Sequence, residues 1–110
     1  MKLPNSHKAV VDIVKIRDYC LSSSHPRGKY KARVFSAALG LTDKDAEILK
    51  AAILKAAHNN DAVATEKDDY GQRYVLDFTM NELAGSASIR SSWIVRTGED
   101  FPRLTSCYVR

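Results

Sequence analysis

His25 carries the most chemical potential in the chain. It stands in the run Ser22-Ser23-Ser24-His25-Pro26-Arg27-Gly28. This run reads as a polar loop, because Pro26 disfavours helix at His25 and Gly28 frees the backbone before the next element. An imidazole there can serve as a general base, or as a loop residue that caps or braces a helix end. Cations surround it: Arg27, Lys29, Lys31 and Arg33. Lys31 lies four residues before Phe35, so its stem can run along the edge of a core while its ammonium reaches the loop. A second constellation lies downstream, where Arg73, Asp77, Arg90, Ser92 and Arg96 alternate with apolar residues. If helices cover the apolar face, these five share the open one. Arginine forks bind phosphate through paired hydrogen bonds and a hydroxyl adds another, so the face suits RNA or a nucleotide, although an exposed antiparallel face is polar in any case.

The elements that would position these groups follow from periodicity. Ile13, Ile16 and Cys20, with Tyr19 and Leu21, recur at near-helical spacing behind Asp12, predicting an amphipathic helix over 12–21. Ala32, Phe35, Ser36 and Leu39 predict a helix over 29–39, ended by Gly40 in the left-handed conformation. Thr42 and Asp45 resemble a capping box, Leu41 can staple onto Ala46, and Leu49, Ile53 and Ala56 continue a helix over 42–58. Beyond residue 60 the period becomes two. Strands are expected over 61–67, 72–80, 86–97 and 103–109, the last with mixed alternation that leaves its inward face open. Helices first and strands second predict an α+β fold, with N-terminal helices on one face of a four-stranded antiparallel sheet. Ile16, Phe35, Leu39, Leu49, Ile53, Leu76, Phe78, Ile89 and Trp93 should form its core.

Composition narrows the class. A chain of 110 residues with 45% hydrophobic and 27% charged residues matches one globular domain, 1–110. No apolar stretch approaches the roughly 20 residues of a membrane span, and no apolar block follows Lys2, so a cytoplasmic protein without membrane contact is expected. Cys20 and Cys107 lie near opposite ends, outside any short metal-ligand pair, and are expected to be free thiols. No phosphate-cradling glycine loop or metal-binding helix motif occurs, so neither cofactor nor metal is expected. The net charge of +4 is unevenly spread: residues 1–33 carry 8 bases and 2 acids, 34–89 carry 5 and 9, and 90–110 carry 4 and 2. Basic ends brought together would attract phosphates.

The run from His25 to Phe35, with Leu39-Gly40, Ser92-Trp93-Ile94 and Pro102-Arg103-Leu104-Thr105, resembles an uncharacterised bacterial domain family. Its pattern is Tyr-x-Leu, His-Pro-x-Gly, Lys-Ala-x-x-Phe, Leu-Gly, a small residue before Trp-Ile, and Pro-x-Leu-x-Thr. The match covers nearly the whole chain. Relatives of that family resemble the barnase, EndoU, colicin nuclease and RelE fold, usually a metal-independent ribonuclease toxin with a small cognate antitoxin or immunity protein. The resemblance implies RNA as substrate and a catalytic group of His25, Lys31, Ser92 and Thr105. His25 would be the base or acid and Lys31 the stabiliser of the charged transition state. Arg33, Arg90, Arg96 and Arg103 would bind substrate. The rival expectations are a non-catalytic binding module, such as an inactive nuclease relative or the neutralising half of a toxin pair, and a structural protein.

Overall fold

The computed structural model describes residues 1–110. A 3-10 turn, Ser6–Lys8, precedes helix α1, Ile13–Lys15, which continues as a π-helical turn, Ile16–Cys20. Helix α2, Lys29–Leu39, and a 3-10 turn, Asp43–Asp45, lead to α3, Ala46–Asn59. Four strands follow: β1, Val63–Asp68; β2, Gly71–Glu82; β3, Gly85–Arg96; and β4, Pro102–Val109. They form one sheet in sequence order with every neighbouring pair antiparallel. The expected α+β architecture is the one found.

Local chemistry sets the helix boundaries. Asp12 accepts the backbone N–H of Val14 at 2.9 Å and starts α1. The regular helix expected through Leu21 gives way to the π turn, where the Leu21 N–H reaches the Ile16 carbonyl at 2.9 Å, five residues back. This wider turn lets Ile16, Cys20 and Leu21 all face the core. Helix α2 ends where Gly40 adopts φ 69°, a left-handed conformation that side chains disfavour. Its buried stripe is Ala32, Phe35 and Leu39; Ser36, expected on that stripe, is exposed. The capping box before α3 is present, with the Thr42 N–H donating to Asp45 Oδ2 at 2.9 Å.

Every residue expected in the core is buried, joined by Leu3 and Val11 from the N-terminal segment and by Cys20 and Cys107. The inward face of the sheet includes Tyr74, Leu76, Phe78, Met80, Ile89, Ser91 and Trp93. Trp93 Nε1–H donates to Ser91 Oγ at 2.9 Å, and Ser91 donates to the Leu76 carbonyl at 2.7 Å. These bonds satisfy the buried polar groups. The mixed alternation of β4 has a physical cause. Ser92 pairs with Ser106 and Trp93 with Leu104, so Thr105 is an extra residue in a β-bulge. Leu104 and Cys107, three apart, therefore both point inward. One parallel contact departs from the antiparallel scheme: Val10 bridges Arg103 at the outer edge of β4. Its N–H reaches the Pro102 carbonyl at 2.9 Å, and its carbonyl accepts the Leu104 N–H at 3.0 Å. That bridge lays the start of α1 beside the bulge.

Candidate functional site

A cleft of about 510 Å³ opens between the α1 and π-turn segment, the His25 loop, α2 and β4, lined by Asp12, Val14, Lys15, Asp18, Tyr19, His25, Lys31, Thr105 and Ser106. The motif around His25 explains its local geometry. His25 Nδ1 accepts the backbone N–H of Arg27 at 3.0 Å and that of Gly28 at 2.9 Å. The ring thus closes the turn before α2, as an N-cap side chain does. Its edge packs on Tyr19, with centroids 4.6 Å apart and planes at 72°. Gly28 is required by proximity, because a Cβ there would lie 2.1 Å from the Tyr19 carbonyl oxygen.

The cap has a chemical consequence. With the Nδ1 lone pair engaged by two donors, the neutral ring carries its proton on Nε2. His25 in this state offers a hydrogen-bond donor, and accepting a proton as a base would break both capping bonds.

Lys31 holds the centre. Its Nζ lies 5.3 Å from the Tyr19 ring centroid and 5.5 Å from that of Tyr108, within range of cation–π attraction on both sides. Beyond it lies a second hollow of about 310 Å³, lined by Tyr30, Lys31, Val34, Tyr108 and Val109. Thr105, on the bulge, donates its hydroxyl proton to the Ser92 carbonyl at 3.0 Å. Its oxygen then faces the cleft only as an acceptor.

The other residues singled out from sequence lie elsewhere. Ser92 is outside the cleft lining, paired with Val75 and Ser106 in the sheet. Arg90 forks onto Asp77 at 2.9 and 3.0 Å, and Arg110 joins the same carboxylate at 2.8 Å. The Arg90 hydrogen bonds hold the Asp77 carboxyl below its usual range. Arg103 forks onto Glu99, both contacts at 2.9 Å, and its guanidinium lies 4.9 Å from the Phe101 ring. Arg96 is exposed at the end of β3. Arg33 lines a separate hollow with Leu21, Ser36 and Leu41. His25, Lys31 and Thr105 are therefore brought together, whereas Ser92, Arg33, Arg90, Arg96 and Arg103 are not in that cleft.

Sequence reasoning missed Asp12, Lys15, Asp18 and Tyr19 as cleft residues. The available signal was their three- and four-residue spacing, which places them along one side of a helix. Behind the cleft Cys20 and Cys107 meet as buried free thiols. Hydrogen bonding from Cys107 lowers the Cys20 thiol, helped by the Lys31 charge, while the same bond and burial raise Cys107. No three His, Cys, Asp or Glu side chains converge in a group that could hold a metal ion. No helix is long and apolar enough to cross a membrane.

Among solved structures, the chain is similar to one in a contact-dependent growth inhibition toxin–immunity protein complex from Klebsiella pneumoniae 342, with a TM-score of 0.69 and 18% identity. The alignment covers 92% of this chain and 99% of the other, so the two share a fold. No curated protein matches the chain. Residues 2–110 match DUF6883, a domain of unknown function. With nearly its full length matched, the chain belongs to the DUF6883 family.

Proposed function

We propose that the protein is a ribonuclease-like toxin domain that cleaves RNA by attack of a 2′-hydroxyl on the adjacent phosphorus. One observation carries this reading: His25 and Lys31, from the basic helical half, line a single cleft with Thr105 from the far end of the chain. The toxin–immunity complex that shares the fold supports a role on one side of such a pair, with a small cognate protein as partner.

In this reading the cleft holds the scissile phosphate. Asp12 takes the 2′-hydroxyl proton as the 2′-oxygen bonds to phosphorus, because the Asp18 carboxylate is held by Arg17 at 2.9 Å. The His25 Nε2–H donates to a non-bridging oxygen as negative charge develops. The Lys31 ammonium gives a proton to the departing 5′-oxygen as its bond to phosphorus breaks. The products are a 2′,3′-cyclic phosphate and a free 5′-hydroxyl. His25 acts as an electrophile, the role its capped tautomer permits, and the substrate phosphates outside the cleft fall to the surrounding cations.

The test is incubation of purified chain with total RNA, followed by analysis of the cleaved ends. Cyclic phosphate ends that disappear with Lys31→Met support the reading; RNA left intact by the wild-type chain sinks it. The second reading, a binding module without catalysis, is favoured by the commitment of His25 Nδ1 to the backbone and of the Arg90 and Arg103 forks to carboxylates. It predicts intact RNA, unaffected growth on expression, and a tight complex with a cognate protein.

A further inference from the structure

We infer that the hollow between Tyr30 and Tyr108 is a stacking subsite for the nucleobase next to the phosphate held at Lys31. This rests on the ribonucleolytic reading of the neighbouring cleft. Lys31 lines both hollows, so a ligand with its anionic group at Lys31 has the Tyr108 side open to its next part. That side is apolar. Val34 and Val109 form its walls with the two tyrosines, and apart from Lys31 the only polar side-chain groups in its lining are the phenol hydroxyls.

Two further cations lie against Tyr30. Lys29 Nζ lies 5.2 Å, and the Arg33 guanidinium carbon 5.7 Å, from the Tyr30 ring centroid. The hollow therefore has Lys31 in its lining and two more cations against one of its aromatic walls. A nucleotide flanked by two phosphates offers anionic groups to these cations and a flat apolar body to the tyrosines. Tyrosine faces stack bases of any identity, and the lining offers no amide or carboxylate to read a base edge. The subsite binds a base without selecting it. It also gives Arg33, which lies outside the main cleft, contact with the following phosphate.

The test measures binding of a short 2′-O-methyl RNA, which cannot be cleaved by 2′-hydroxyl attack, to the full chain and to Tyr30→Ala and Tyr108→Leu. Tyr30 is 60% exposed, so its removal leaves the core intact. Each variant should weaken binding roughly 5- to 100-fold, as loss of one base–aromatic stack does. An oligonucleotide with an abasic residue at the stacked position should bind the wild type with the same loss, and Tyr30→Ala should then add nothing. Exchanging one base for another should leave affinity nearly unchanged. Wild-type affinity in both variants overturns the subsite, as does failure of the wild-type chain to bind the oligonucleotide. So does a cognate protein whose binding depends on Tyr30 and Val34 while oligonucleotide binding does not. Cleavage of unmodified RNA is read separately. Tyrosine-dependent binding without cleavage upholds the subsite and breaks the catalytic reading, whereas cleavage with an unchanged KM in both variants breaks the subsite alone.

Discussion

The His25 ring accepts the Gly28 backbone N–H at 2.9 Å, and the Gly28 backbone lies against the Tyr19 carbonyl. A single loop therefore fixes the entry of α2, the orientation of the imidazole and the spacing to the π turn. The capping role of His25 and the catalytic role proposed for it can be separated by substitution. His25→Asn keeps a side-chain acceptor for the capping bonds and removes the Nε2 donor. His25→Ala removes both, at a cost of about 1 kcal/mol for the lost cap. Both variants should lose RNA cleavage, while urea unfolding should show a stability loss mainly in His25→Ala. Full cleavage by His25→Asn would reduce the histidine to a cap.

Gly28→Ala should act differently. The added Cβ would meet the Tyr19 carbonyl oxygen at 2.1 Å, a backbone atom that cannot rotate away, so the loop and the π turn must part. Forced overpacking of this kind costs about 1–3 kcal/mol. The Tyr19–His25 ring contact should loosen with it, and the histidine ring protons should shift in NMR spectra. An unchanged midpoint and spectrum would show that the loop absorbs the methyl group elsewhere.

The parts of the fold legible in the sequence were those written in local chemistry. Gly40 ended α2, Thr42 and Asp45 capped the next helical segment, and strict alternation in β2 revealed its packed face. The π turn at Ile16–Cys20 was hidden because it differs from an α-helix by one residue in hydrogen-bond spacing, while the apolar pattern suits both. The bulge at Thr105 was visible only as broken alternation. The cleft depends on both irregularities and on the Val10–Arg103 bridge, which joins residues far apart in the chain. Motif positions located His25, Lys31 and Thr105. They could not reveal that Asp77 and Glu99 engage Arg90 and Arg103, because those pairings depend on strand register and turn geometry.

Asp77 supplies a pH test of the open sheet face. Hydrogen bonds from Arg90, with the charge of Arg110, lower its carboxyl from the ordinary value of 3.8. A carboxyl depressed by folding adds stability above its unfolded value, and that contribution is lost as pH falls through its folded value. Because the pair is partly exposed, Asp77→Asn should cost only about 1 kcal/mol near neutrality. Thermal unfolding from pH 7 down to 2 should show wild type and variant converging in acid. Parallel curves across that range would mean that the ion pair adds nothing to stability.

Thr105 distinguishes a reacting hydroxyl from a positioning one. Its hydroxyl donates to the Ser92 carbonyl at 3.0 Å, bonding the bulged residue to the strand it would otherwise leave. The proton is committed there, so Thr105 can accept a hydrogen bond from a ligand but has none to donate to a phosphate. Thr105→Val keeps the branched shape and removes that one bond, costing about 1 kcal/mol. Thr105→Ser keeps the hydroxyl and removes a methyl group. If positioning is the role, Thr105→Val should raise KM for RNA by disturbing the bulge while leaving kcat within a few-fold of wild type, and Thr105→Ser should restore the lost affinity. A collapse of kcat in Thr105→Val with KM unchanged, rescued by serine, would instead assign the hydroxyl to the transition state and require that it release Ser92 when substrate binds.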